Sequence, residues 1–168
     1  LPNLIGLDLS GNNLTALPDK LFSLTQLQRL DLSGNDLDDL AQIEQISNLT
    51  QLELLSLNLM GLKSLPDLSS LEKLYMFSAF GNHLTHVSDN LFYAKLEDLY
   101  MDLGHNDIED ISGNLANVCG IDLCFNYLVD ASGITCPEIG LEHNPPLKKL
   151  PTSEVDLRLD REQVIALS

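Results

Sequence analysis

The stretch Leu24–Ala41, LTQLQRLDLSGNDLDDLA, decides the fold. Counted from Leu24, apolar residues stand at offsets 0, 3, 6, 8, 13 and 16, and Asn35 stands at offset 11. The alternation Leu30-x-Leu32 predicts a short strand with one apolar face. A unit this short cannot bury its own leucines, so similar units must stack against it. They are present on both sides. LPNLIGLDLSGNNLTALP begins 23 residues earlier at Leu1, LTQLELLSLNLMGLKSLP begins 25 residues later at Leu49, and LEKLYMFSAFGNHLTHVS follows after 22 more at Leu71.

The second half is looser. LEDLYMDLGHNDIEDI keeps Met101, Leu103, Asn106, Ile108 and Ile111, but Leu96 and Leu99 lie one residue closer to the Asn than the pattern asks. LANVCGIDLCFNYLVDA, from Leu115, fits again with Asn126. PEIGLEHNPPLKKLP supplies Ile139, Leu141 and Asn144, with Pro146 pushing Leu147 one place late. SEVDLRLDREQV offers Val155, Leu157 and Leu159 as a last strand without an Asn. The chain therefore reads as seven units and a degenerate eighth.

This pattern, L-x-x-L-x-L-x-x-N-x-L, resembles the leucine-rich repeat family over essentially the whole chain. The resemblance implies an α/β fold: a right-handed solenoid bent into a horseshoe arc, with a parallel β-sheet on its concave face and about seven to eight repeats. Residues 1–168 are expected to form one such solenoid, a piece of a longer chain because Leu1 opens inside a repeat. The segment Leu17–Phe22 and its echo at Leu91–Phe92 resemble the longer, typical repeats. The last Asn-to-Asn spacings, 20 and 18, resemble the short repeats of bacterial proteins. Parallel strands stack about 4.8 Å apart, so eight would span roughly 35 Å.

The Asn column reads Asn12, Asn35, Met60, Asn82 in the first four units. After each strand the chain turns inward and buries backbone groups that lack strand partners. A side-chain amide offers both donors and an acceptor to them, whereas a thioether is only a weak acceptor. Met60 should forfeit about 1–3 kcal/mol of hydrogen bonding. The preferred reading is drift within a stable array. The sharper one is a softened turn beside a binding surface.

Offsets 5, 7, 9 and 10 should face out of the sheet, opposite the core leucines. In the middle units they place Leu54, Leu59, Met76, Phe80, Tyr100 and Phe125 on the concave face. Asp8, Asp31, Asp102 and Asp122 flank them. An apolar cluster with a polar rim is how protein interfaces look. The candidate protein-binding residues are Leu54, Leu59, Met76, Phe80, Tyr100, Asp102, Asp122 and Phe125. Misphasing of the fifth unit would instead place some of them in the core. A second acidic run, Asp36, Asp38 and Asp39 with Asp107, Glu109 and Asp110, should lie on one lateral side as a solvated face.

Of 168 residues 25 are acidic and 9 basic, a formal charge of −16. Such a surface repels nucleic acid and anionic lipid and favours a protein partner with a basic surface. No stretch approaches the roughly 18 apolar residues of a membrane span. Three cysteines, Cys119, Cys124 and Cys136, favour a reducing intracellular compartment, such as host cytosol for a bacterial effector. The triplets Asn13–Thr15 and Asn48–Thr50 leave an extracellular setting open. His105, His143 and Cys124, with Asp122 and Glu142, are the one group resembling a metal or nucleophile site. It lacks compact ligand spacing, and two strand steps separate the histidines by about 9–10 Å. Ser33–Asn35, SGN, belongs to the repeat turn rather than to a phosphate loop.

The expected function is therefore a non-enzymatic protein–protein interaction module without cofactor. The alternative is the targeting or substrate-recognition domain of a larger bacterial effector, receptor or enzyme. The end at Leu1 lacks a cap and predicts self-association. The C-terminal DREQVIALS is expected to fold back as a partial cap through Val164, Ile165 and Leu167.

Overall fold

The computed structural model describes residues 3–37, 40–87, 98–111, 115 and 118–167. Each L-x-L core forms a short strand: β1 (Gly6–Asp8), β2 (Arg29–Asp31), β3 (Leu54–Ser56) and β4 (Met76–Ser78), then β6 (Leu99–Asp102), β8 (Val118–Asp122), β9 (Glu138–Gly140) and β10 (Asp156–Arg158). These eight pair in parallel, in chain order, as one sheet on the concave face of a right-handed solenoid. On the opposite side β5 (His86–Val87) pairs with β7 (Asp110–Ile111). Helical segments are few: a 3₁₀ turn at Asp19–Ser23, α1 (Leu40–Glu44) running into a second 3₁₀ turn at Gln45–Asn48, and α2 (Arg161–Leu167). Among the described residues no helix is long and apolar enough to cross a membrane. The echo at Leu91–Phe92, and Leu1, Asp38, Asp39 and Leu96, lie outside the described residues.

The register settles the phase. Gly6, Arg29, Leu54, Met76, Tyr100, Gly120, Glu138 and Asp156 are successive partners, all at offset 5. The flanking leucines point inward: Leu30, Leu32, Leu55, Leu57, Leu103, Leu123 and Leu141 are fully buried. The loose fifth unit keeps this phase. Leu99 pairs with Val118 while Tyr100 pairs with Gly120, so Cys119 is an extra residue in β8, and this irregularity absorbs the missing position.

Beyond each strand the Asn column forms a hydrogen-bonded ladder. Asn82 Nδ2 donates to Leu57 O (2.8 Å) and Ala79 O (2.9 Å), and its Oδ1 accepts from Met60 N and Leu62 N at 3.0 Å each. Consequently a buried carbonyl at offset 8 receives two side-chain amides, one from its own unit and one from the next. Ala79 O receives Asn82 and Asn106, Leu103 O receives Asn106 and Asn126, and Leu123 O receives Asn126 and Asn144.

Met60 interrupts the series. Leu32 O receives only Asn35 Nδ2, and Leu57 O receives only Asn82 Nδ2, from this ladder. Met60 is 6% exposed and its thioether packs in the core. Met60→Asn should restore both donations and accept from the amides of Asn35 and Leu37. Four bonds outweigh the lost burial of the methionine, so stability should rise by about 1 kcal/mol. A denaturant melt with unchanged slope would measure the gain; a loss of stability would show that methionine is there for its volume.

After Asn144 the ladder continues through Gln163, not through the apolar cover that the sequence reading expects. Val164 and Ile165 are 53% and 64% exposed, and Leu167 is half-buried. The buried residue is Gln163. Its Nε2 donates to Leu141 O at 2.7 Å and Asn144 O at 3.3 Å, the place of the next Asn. Asp160 N donates to Gln163 Oε1, and Gln163 N donates to Asp160 Oδ1, a capping box at the start of α2. The other oxygen, Asp160 Oδ2, accepts from His143 N at 2.8 Å. An apolar segment on the last turn would cover the core yet leave the Leu141 carbonyl short of a donor, which is why an amide occupies the place.

Candidate functional site

The concave face follows from the strand alternation. Met76 is 42% exposed, and Leu54 and Tyr100 are half-buried. The Tyr100 ring reaches over the neighbouring strand, where a Cβ on Gly120 would come within 2.8 Å of it. Arg158 lies over Gly140 in the same way, and so reaches Asp122 two strands away at 2.9 Å.

At offset 10 the backbone is left-handed in seven successive units. Gly11, Gly34 and Gly81 occupy three of these positions. Leu59 (φ 53°), His105 (φ 53°), Phe125 (φ 57°) and His143 (φ 58°) occupy the other four. A side chain in this conformation costs roughly 1 kcal/mol relative to glycine. Strand spacing then brings the side chains into contact. Phe80, at offset 9 beside Gly81, leans 4.8 Å from His105. His105 stacks on Phe125, and Phe125 on His143, at 4.1 Å each and within 22° of parallel. Leu59 lies over Gly81 and extends the row. Leu59 and Phe125 are 61% and 44% exposed.

The flanking carboxylates have a local job first. Asp8, Asp31, Asp102 and Asp122 at offset 7 each accept the amide two residues on, at 2.9–3.0 Å, which sets the turn into the left-handed residue. Where offset 7 is Ser78, Asn58 Oδ1 of the preceding unit accepts from Phe80 N instead. Burial raises the Asp102 carboxyl above its ordinary value, with the charge of Asp122 adding to it. Burial pulls Asp122 the same way, but the hydrogen bonds from Cys124 and Arg158 outweigh it and hold its pKa low.

Cys124 does not read as a nucleophile. Its thiol donates to Glu142 at 2.7 Å. Burial, then the neighbouring carboxylates Asp122 and Glu142, push its pKa far above the ordinary value. Burial carries Cys136 up to about 12. A metal bridging His105 and His143 is also ruled out by geometry, because the Phe125 ring stands between them. Among the described residues no three His, Cys, Asp or Glu converge as ligands. Thiolates, not thiols, are alkylated. Iodoacetamide at pH 8 should therefore modify half-buried Cys119 first, with Cys124 slower by at least about tenfold; equal rates read by mass spectrometry would contradict the carboxylate clamp.

The structure thus puts all eight candidates on the outward side of the sheet or its turn. They form two groups: Leu54, Met76 and Tyr100 with Asp102 and Asp122 on the strands, and Leu59, Phe80 and Phe125 along the row. The sequence reading did not find that His105 and His143 complete that row, or that Tyr127, 53% exposed, stands beside it. The signal was present in Gly11, Gly34 and Gly81, which mark offset 10 as a left-handed position. His83 is exposed and pairs with Asp107 at 3.2 Å.

Residues 2–49 match the family model described as leucine-rich repeats in two copies. No curated protein matches the chain. Among solved structures, the leucine-rich repeat domain of APL1B is similar with a TM-score of 0.80 at 22% identity, over 94% of this chain and 50% of that one. Internalin C2 from Listeria monocytogenes is similar with a TM-score of 0.70 at 26% identity, over 99% of this chain and 69% of that one. Internalin InlF from the same organism gives 0.59 at 20% identity, over 98% and 58%. The chain therefore spans half the length of the APL1B domain. The two-copy match over residues 2–49, the continuous strand register and an amide ladder that runs on through Asn144 together give this chain the leucine-rich repeat fold.

Proposed function

We propose that this chain is a non-enzymatic protein-interaction module whose partner docks on the concave face. Leucine-rich repeat domains generally bind protein partners. The observation that carries the reading here is the exposure of Met76 on the middle strands and of Leu59 and Phe125 in the turn row beside them, with Tyr100 and Phe80 half-buried. Aromatic anchors set in a polar rim are where interface energy concentrates. Asp102 and Asp122 at the rim suit a partner with a basic surface, and the charge of −16 disfavours nucleic acid.

The test is partner capture by wild type and by Met76→Ser with Tyr100→Ala. Capture should fall by about tenfold with the thermal midpoint shifted by less than about 2 °C. A parallel loss of stability and capture would make these residues part of the packing rather than the contact. A second reading has the module serve as the recognition domain of a larger receptor or bacterial effector. The likeness to internalin C2, a bacterial protein of which this chain covers 69%, supports it.

A further inference from the structure

A groove of about 600 Å³ runs across the strands, just past the concave face. The ring row and Leu59 form one wall. His83, Asp107, Tyr127 and Pro145 form the other, and the ladder amides Asn82, Asn106 and Asn126 form the floor. Building on the protein-binding reading above, we infer that this groove receives a short extended segment of a partner protein that carries both apolar and lysine or arginine side chains.

Three observations select that occupant. The floor offers no spare donors, because the Asn82, Asn106 and Asn126 amide groups are already committed to backbone carbonyls. The stacked rings turn their faces to one another and present edges, so Leu59, Phe80 and Phe125 supply the apolar contact while His105 and His143 add ring nitrogens at the edge. The charge at its borders is negative. Asp107 lines the groove, Glu142 and Asp160 adjoin it at Phe125 and His143, and among the described residues no lysine or arginine lines it. Arg158 is engaged with Asp122. A second copy of this chain would bring another −16 charges against that border, and nucleic acid or anionic lipid would be repelled likewise. A basic segment answers it, its long stems lying over the rim while its apolar neighbours enter.

The dimensions fit a linear motif. Centroid steps of 4.8, 4.1 and 4.1 Å carry the ring row over about 13 Å, the reach of about four extended residues. The chain also holds Leu59, His105, Phe125 and His143 in a conformation that glycine adopts freely at Gly11, Gly34 and Gly81. Strain of this kind, kept in neighbouring units along one groove, points to use of the side chains.

Labelled synthetic peptides of about eight residues test the inference by fluorescence anisotropy. One alternates lysine and leucine, one glutamate and leucine, one lysine and serine. The lysine–leucine peptide should bind at least about tenfold more tightly than either other, and more weakly as salt rises. His105→Gly with Phe125→Gly and His143→Gly should remove about tenfold of that affinity and keep the thermal midpoint, since glycine accepts the backbone. Phe125→Asn, which tolerates the same conformation, gives a milder second variant expected to weaken binding in the same direction. Asp19→Asn with Glu44→Gln, on the opposite side of the solenoid, should leave affinity within about twofold. Equal binding of the lysine–serine peptide, or no response to the ring variants, would overturn the inference, as would an equal response to the remote pair. So would a dimer in sedimentation that the ring variants dissolve, because the occupant would then be a second copy. If the peptides fail while Met76→Ser with Tyr100→Ala still abolishes partner capture, the concave-face reading stands and only the groove's occupant is lost.

Discussion

Asn126→Ala should lower the thermal midpoint by about 10 °C, the equivalent of about 3 kcal/mol in a chain of this size. Asn126 is 2% exposed. Its Oδ1 accepts from Ile108 N at 2.9 Å, and its Nδ2 donates to Leu103 O and Leu123 O at 3.0 and 3.1 Å. Alanine leaves the Ile108 amide without that acceptor and halves the side-chain donation to both carbonyls. It also opens a void where the amide stood. Because each unit contacts only its neighbours, the damage falls on the junction between two units, and the transition should broaden as well as shift. Two comparisons separate bonding from volume. Asn126→Met fills the space without donating, as Met60 does, and should recover part of the loss. Asn12→Ala removes an exposed amide at the same offset, bonded to Leu9 O at 2.8 Å, and should cost less than about 1 kcal/mol. A drop below about 2 °C for Asn126→Ala would mean that water replaces the rung and that the ladder does not hold the units together.

The phase of the solenoid was legible because two features keep a fixed spacing within each unit: the L-x-L pair and the Asn that follows. Between Leu30 and Asn35 the chain has no room for variation, while the convex segments lengthen and shorten freely. Hence the register could be read through steps of 23, 25 and 22 residues. It held even at Leu99, where an extra residue in the partner strand absorbs the irregularity. The outward column from Leu54 to Tyr100 followed from the same alternation.

The ring row was not legible for a different reason. His105 and His143 belong to separate units, and nothing local marks their backbone as left-handed. Their contacts with Phe125 arise only when neighbouring turns stack at strand spacing, so the row is a property of the assembled array. The distance between the two histidines gave a metal bridge little support. Considering what offset 10 holds in the unit between them, Phe125, gives a stack. Met60 shows the opposite case. A single departure from a column, weighed for the bonds it cannot make, located the two carbonyls, Leu32 O and Leu57 O, that lose a donor.

Apolar residues at Val164, Ile165 and Leu167 hide the buried amide of Gln163, although Asp160 and Gln163 stand three apart as a capping box. That pair supports a second large effect. Gln163→Ala should destabilise the last unit by about 2–3 kcal/mol, through loss of the buried donation to Leu141 O and of the acceptor for Asp160 N. An end unit opens without the rest of the array, so backbone amides of residues 139–163 should exchange with solvent roughly thirtyfold faster or more, while those around Leu55 keep their protection. Gln163→Glu distinguishes the two bonds. The introduced carboxylate still accepts from Asp160 N but cannot donate to Leu141 O, and it sits buried beside carbonyl oxygens. Burial raises its folded-state pKa above the unfolded value of about 4.3. The sign follows: its stabilising contribution is present below about pH 4 and is lost as pH rises through the folded value. The difference in stability between Gln163→Glu and wild type should therefore widen from pH 4 to pH 7. A difference that stays constant over that range would show that the Leu141 carbonyl does not need the donor and that Gln163 is not a rung of the ladder.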